Sequence, residues 1–261
     1  MAKMLGSDRG ITVVAQDLLE LSTTQKHKLG ERLVRDERVY RYAYNQTEQL
    51  VNLAASVIYP KEDGVAGATT VHDAGNYEVT MGSVDTATSV AADYFAGGYL
   101  CYRSTRLYTH KIKSHPAADN AAELVLTLET PIVGHTITDA TTTLHVYRSI
   151  WNTRGTLAGD GAGFGEHCCF LGQAAGGQVV PASRYYWLQT WGPIISSQVD
   201  FYGAAAGGTR EVTAISSGAL QMGASNGNQR VGFLLPDTYT LGTAGAALGD
   251  ADHLVMLQIC P

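Results

Sequence analysis

At 261 residues the chain is long enough to bury a large core as one β domain or two smaller ones, with no disulfide or metal required. A net charge of -6 at pH 7, a pI near 5.7 and the lack of any basic run exclude a sequence-independent grip on phosphate backbones, so no nucleic acid partner is expected. No apolar run approaches the roughly 20 residues that cross a bilayer and no apolar leader opens the chain, so the expectation is synthesis in a cytoplasm and no membrane partner.

Ile11–Ser22 opens with ITVV and then sets Leu18, Leu19 and Leu21 beside Asp17 and Glu20, an apolar patch without a helical repeat. Alone it cannot offset the entropy of fixing its backbone. Residues 1–25 are therefore expected to form an extended N-terminal arm that docks on a neighbouring subunit through Ile11, Val13, Leu18, Leu19 and Leu21. Residues 26–150 then form a β-rich N-terminal half. Within it, Tyr40, Tyr42 and Tyr44 alternate with Val39, Arg41 and Ala43, the period of a strand. Thr47 precedes Glu48, and Leu50, Leu53, Ala54 and Val57 recur at helical spacing up to Pro60, which predicts one short capped helix near 47–58.

Thr69–His72, Tyr77–Met81, Gly98–Arg103, Leu107–Lys113, Glu123–Glu129 and Thr143–Tyr147 follow as strands. Leu107–Lys113 and Glu123–Glu129 are expected to pair as a hairpin across SHPAADN. Glycines crowd residues 151–165, read as a connector. Residues 166–261 form a β-rich C-terminal half with strands at His167–Gly172, Arg184–Trp191, Gln198–Tyr202, Arg210–Ile215, Arg230–Leu235 and Leu254–Ile259. The expected fold is all-β, mainly antiparallel, and sandwich or barrel-like.

The densest aromatic segment is Ser183–Pro193, SRYYWLQTWGP. On a strand, Tyr185, Trp187, Gln189 and Trp191 share one face and Tyr186, Leu188 and Thr190 the other, and neither face is charged. Both are expected to be covered, with Trp187 and Trp191 in a core and Tyr186 and Leu188 under a neighbouring element or subunit. Tyr40 and Tyr42 join these as core or interface aromatics.

The enzymatic hints are weak. Gly223-Ala224-Ser225-Asn226-Gly227 matches G-x-S-x-G, with Asp237, Asp252 and His253 downstream in hydrolase order. The motif needs a helix after the serine, whereas NQRVGFLLP has strand character and then a proline. Glu166, His167, Cys168 and Cys169 are metal-capable, yet no C-x-x-C or H-x-x-x-H occurs, and buried free thiols explain them better. GDGAGFGE fits neither phosphate-binding glycine pattern, and Asp36/Glu37 and Glu62/Asp63 read as solvated surface. No catalytic residue, cofactor or metal is expected.

Five segments carry a resemblance: LGERLVRDERVYRYAYN at Leu29–Asn45, AGGYLCY at Ala96–Tyr102, YTHKIKSHPA at Tyr108–Ala117, LVLTLETPI at Leu124–Ile132 and YYWLQTWGP at Tyr185–Pro193. In this order, through about two thirds of the chain, they resemble a family of tailed-phage virion proteins that decorate or cement the capsid. The usual glycine after the aspartate is replaced here, at Asp36-Glu37-Arg38. The resemblance implies a non-enzymatic β-rich protein on the outer capsid surface, with the major capsid protein and copies of itself, as a trimer before a dimer, as partners. A tail-tube, adaptor or head-fibre-base protein is the nearest structural alternative. A carbohydrate-binding surface module using the tyrosine strand, and a serine hydrolase at Ser225, are the others.

Overall fold

A computed structural model describes residues 16–45, 49–50, 54–57, 62–82, 89–103, 106–119, 122–138, 143–156, 168–170, 179–196, 199–200, 210–214, 220–222, 229–235 and 253–259. The strands in chain order are β1 (Arg32–Arg35), β2 (Arg38–Asn45), β3 (Gln49–Leu50), β4 (Ala54–Val57), β5 (Glu62–Gly67), β6 (Glu78–Met81), β7 (Tyr99–Arg103), β8 (Leu107–Ser114), β9 (Leu124–Leu128) and β10 (Thr143–Tyr147). They continue as β11 (Asn152–Thr156), β12 (Cys168–Phe170), β13 (Val179–Val180), β14 (Arg184–Ser196), β15 (Val199–Asp200), β16 (Glu211–Ala214), β17 (Leu220–Met222), β18 (Gln229–Leu234) and β19 (His253–Gln258).

The chain divides into two compact units, one of Met1–Ser56 with Thr153–Pro261 and one of Val57–Asn152. The first holds an 11-stranded sheet of order β1-β2-β11-β4-β12-β14-β19-β18-β16-β17-β15, in which β2 also pairs with β14. The second holds a 6-stranded sheet of order β5-β10-β7-β8-β9-β6. A small third sheet joins β3 to β13.

In the second unit, alternation sets the core. Leu124, Leu126 and Leu128 of β9 are buried while Val125 and Thr127 between them are half-buried, and Leu100, Tyr102, Leu144 and Val146 repeat the pattern on β7 and β10. Met81, Phe95, Ile112, Ile132 and Ile137 join the cluster, with Val79, Val90, Ala68 and Ala118. Each fully buried side chain of this size contributes about 1.5–3 kcal/mol. The predicted hairpin forms, with Ile112 opposite Leu128 and Ser114 opposite Thr127.

Two expectations about the fold are corrected. The protein is all-β, but its two large sheets, mainly antiparallel with a parallel β15–β17 pair, are not closed into a barrel. The end strands β5 and β6 are not paired along a ladder: Ala68, the residue after β5, makes an isolated bridge to Met81, where a closed barrel requires a continuous ladder. Nor is there a helix among the described residues; the segment expected to be helical contributes β3 and β4. Ala54, Ala55 and Ser56 pair with Phe170, Cys169 and Cys168, and Gln49 and Leu50 with Val180 and Val179. A run this short is marginal as an isolated helix, so pairing with strands far downstream decides its conformation.

In the first unit β14 is the longest strand, 13 residues. It pairs with β2 from Arg184 to Trp191 and with β19 from Trp191 to Ser196, and the register against β2 slips between Gln189 and Trp191. Gly192 follows the slip with φ 94. A Cβ there would lie 2.6 Å from the carbonyl oxygen of Glu37. Only glycine meets both demands without strain.

Two outcomes follow from this packing. Gly192→Ala is expected to destabilise the protein by at least about 1–2 kcal/mol, the cost of a left-handed L-residue, before the contact with Glu37 is added. An unchanged urea midpoint would contradict the bulge geometry. His115 governs the second. It is buried, accepts from the Phe95 N–H at Nε2 (2.9 Å) and donates from Nδ1 to the Pro116 carbonyl (2.7 Å). Burial lowers its pKa, against the opposing pull of the Pro116 carbonyl and the Asp93 carboxylate. The unfolded chain therefore takes up the proton first, so stability is full at neutral pH and declines as pH falls below about 6.5. His115→Phe should cost about 1–3 kcal/mol at pH 7.5 and show a smaller loss between pH 7 and 5 than the parent, read from urea midpoints. Equal pH dependence in the two proteins would show that His115 is not the titrating group.

Candidate functional site

The described part of the expected arm packs on the chain's own aromatic strand. Ser22 and Tyr185 exchange backbone hydrogen bonds of 3.0 and 2.8 Å. Gln16 is buried, and its Nε2 donates to the carbonyls of Glu20 (2.7 Å) and Tyr185 (2.9 Å). The Tyr42 hydroxyl donates to Gln16 Oε1 at 2.6 Å and accepts from the Lys26 N–H at 3.1 Å. Burial is the largest cause that pushes the Tyr42 pKa up to about 12, so the phenol stays a hydrogen-bond donor through the working pH range.

Beneath this clasp the rings lock together. Tyr42 and Trp187 meet edge to face at 5.0 Å, and Tyr185 stacks on Tyr42 at 6.0 Å and tilts over Tyr44 at 4.7 Å. Such pairs add about 0.5–1.5 kcal/mol each beyond burial. Leu33 and Tyr40 finish the buried cluster, with Leu18, Leu29 and Tyr185 half-buried against it.

Beside Asp17–Leu19 a cavity of about 520 Å³ opens to solvent. Leu18, Leu19, Tyr40, Pro193, Ile194 and Leu254 give it an apolar floor. Arg35, Arg38, Asp17 and Gln189 supply the polar rim. Leu19 and Leu254 remain 44% and 40% exposed, while Tyr40 and Ile194 below them are buried. The arginines are brought to one place by the two-residue turn Asp36–Glu37, since Arg35 and Arg38 face each other as the closing pair of the β1–β2 hairpin. Asp36 takes φ 53 and so supplies the left-handed residue of the turn where no glycine is present. Two guanidinium groups over apolar carbon suit a partner surface that offers a carboxylate beside an aliphatic or aromatic side chain.

Of the residues singled out from sequence, Leu18 and Leu19 line this groove, Leu21 is half-buried, and Ile11 and Val13 lie outside the described residues. Tyr42, Tyr186 and Trp187 are buried, Tyr40 is buried at the groove floor, and Tyr185 and Trp191 are half-buried. Arg35, Arg38, Gln189 and Leu254 were not among the residues read as a candidate site. A charged pair closing a tight turn was the one local signal available, and nothing local connects it with Leu254.

Ser225, Asp237, Asp252, His167 and Cys260 lie outside the described residues. His253 is the first residue of β19, and Cys168 and Cys169 lie in β12. Cys101 is a half-buried free thiol. Among the described residues no three of His, Cys, Asp and Glu converge as metal ligands. No family model, curated protein or solved structure matches the chain.

Tyr42→Phe removes one hydroxyl and leaves the Gln16 oxygen and Lys26 N–H without that partner. The expected cost is roughly 1–2 kcal/mol, with faster hydrogen exchange at the Ser22 and Tyr185 amides. Unchanged exchange at both would show that the arm is held by its other contacts alone.

Proposed function

We propose that the chain is a structural virion protein that coats the outer surface of a phage shell and binds the major capsid protein through the groove between Leu18, Leu19, Arg35, Arg38 and Leu254. The observation that carries this reading is the combination of two exposed leucines with two arginines around one cavity of about 520 Å³. Apolar carbon left in water is a source of binding free energy, about 25 cal/mol per Å² when covered, and the arginines give the contact orientation.

The ordered resemblance of the five segments supports the same role. So does a chain whose most aromatic strand is spent on its own packing: Tyr186, Trp187, Leu188, Gln189 and Thr190 are all buried. Shell symmetry repeats each contact many times, so a modest groove suffices at every copy. Clusters of three copies at the shell's three-fold positions are the arrangement expected of such a coat, with pairs second.

The test uses purified shells that lack the protein. Leu19→Asp, and separately Arg35→Glu with Arg38→Glu, should each weaken shell binding at least about tenfold, equivalent to about 1.4 kcal/mol, with thermal unfolding of the free protein unchanged. Parent-like saturation of the shells by both variants would exclude the groove. Failure of the parent protein to bind any shell would exclude the decoration role itself.

A further inference from the structure

The second unit carries a separate constellation on the face shared by β7 and β8. Tyr102 stands opposite Tyr108 across the ladder and Leu100 stands opposite His110, so Tyr102, Tyr108 and His110 fall on one face. His135 reaches the same spot from the loop between β9 and β10. Its Nε2 lies 2.5 Å from the Tyr102 hydroxyl oxygen, and the His110 Nε2 lies 3.1 Å from that same oxygen. The Tyr108 ring lies nearly flat against His135, with centroids 3.7 Å apart at 20°.

One more contact fixes which atoms carry hydrogen. His135 Nδ1 is 2.8 Å from the Val133 carbonyl oxygen, which can only accept, so neutral His135 holds its hydrogen on Nδ1 and presents the Nε2 lone pair. The Tyr102 hydroxyl then donates to His135 and accepts from Nε2–H of His110. Two imidazole nitrogens thus meet on one phenol oxygen, and the histidine on the loop is oriented through its other nitrogen by a backbone carbonyl. That is how proteins orient metal-ligating histidines.

We infer that Tyr102, His110 and His135 form a binding site for a divalent transition-metal ion of the zinc–copper type. An N₂O donor set favours these ions over Ca²⁺ and Mg²⁺, which prefer oxygen alone. Three donors about 2.0 Å from one ion stand about 3.3 Å apart at tetrahedral angles. The His110–Tyr102 spacing is close to this already. The His135 contact has to open by about 0.8 Å, and His135 lies on a loop outside the β7–β8 ladder.

Binding also balances in protons. The Tyr102 O–H bond breaks and its proton goes to solvent, while the His110 hydrogen moves from Nε2 to Nδ1 through exchange with water. The ion therefore releases one proton and changes no oxidation state. The phenol proton is the one the ion displaces, so affinity rises with pH.

The full-length protein is titrated with ZnCl₂ and with CuCl₂ at pH 7.5 by calorimetry, with MgCl₂ as the comparison ion. One site per chain for Zn²⁺ and Cu²⁺ is expected, none for Mg²⁺, and a phenolate-to-copper absorption band in the Cu²⁺ form. His110→Gln and His135→Ala should each weaken Zn²⁺ binding at least about tenfold. Tyr102→Phe, which keeps the buried ring, should abolish the absorption band and remove the proton release. No Zn²⁺ or Cu²⁺ binding tighter than about 1 mM overturns the site. So does parent-like Zn²⁺ affinity in His135→Ala, or an absorption band that survives in Tyr102→Phe.

Discussion

The first unit depends on covering the middle of one strand. β14 carries no charge between Tyr185 and Ser196, and its central residues, from Tyr186 to Thr190, are all buried. A strand of that kind has to find apolar cover on both faces and hydrogen-bond partners along both edges, because unpaired buried backbone is costly. β2, β12 and β19 provide the edges, and the Tyr42–Trp187–Tyr185 rings and the Gln16–Ser22 clasp provide part of the cover. Gln189, a buried polar side chain in the middle of this strand, is satisfied by donating to the carbonyls of Trp191 and Pro193 at 3.2 and 2.9 Å. The polar group closes the bulge in its own strand.

That bulge is also what creates the groove. β14 runs against β2 up to Trp191 and against β19 from Trp191 onward, and Gly192 turns the backbone at the change of partner. Gln189, Pro193 and Ile194 therefore line an opening shared with Tyr40 of β2 and Leu254 of β19. The strand that supplies the densest packing also supplies, a few residues later, the floor of the surface available to a partner. Packing and recognition are consecutive stretches of one segment.

Much of this was legible in the residues because period-two alternation is a local signal. Tyr40, Tyr42, Trp187 and the leucines of β9 announced their strands, and the β8–β9 hairpin followed from two alternating runs around one polar loop. The helix reading at 47–58 failed because Leu50, Leu53, Ala54 and Val57 satisfy a helical spacing by themselves, and the pairing of Ala54–Ser56 with Cys168–Phe170 is invisible to any short window. β5, reading EDGVAG, was passed over because acidic residues and glycines give no alternation, yet β10 pairs along it. The groove was half legible. Leu18 and Leu19 stood out as apolar residues with nothing to cover them, whereas Arg35, Arg38 and Leu254 acquire meaning only when the hairpin and the last strand come together.

The division of the chain has a consequence for the order in which the protein can be built. The second unit is one continuous stretch, Val57–Asn152, and every strand it needs emerges in succession. The first unit is interrupted: β2 emerges early with its tyrosines and apolar face, and β14, which pairs with it from Asn45 to Val39, emerges only after the whole second unit. During synthesis the inserted unit can close its core while β2 has only its hairpin mate β1 to pair with. β1 begins with Arg32 and ends with Arg35, and the turn Asp36–Glu37 leads from it to Arg38 of β2, the kind of charged edge that discourages pairing with a neighbouring nascent chain. The arginines that rim the finished groove thus stand guard over an unfinished sheet until its long strand arrives.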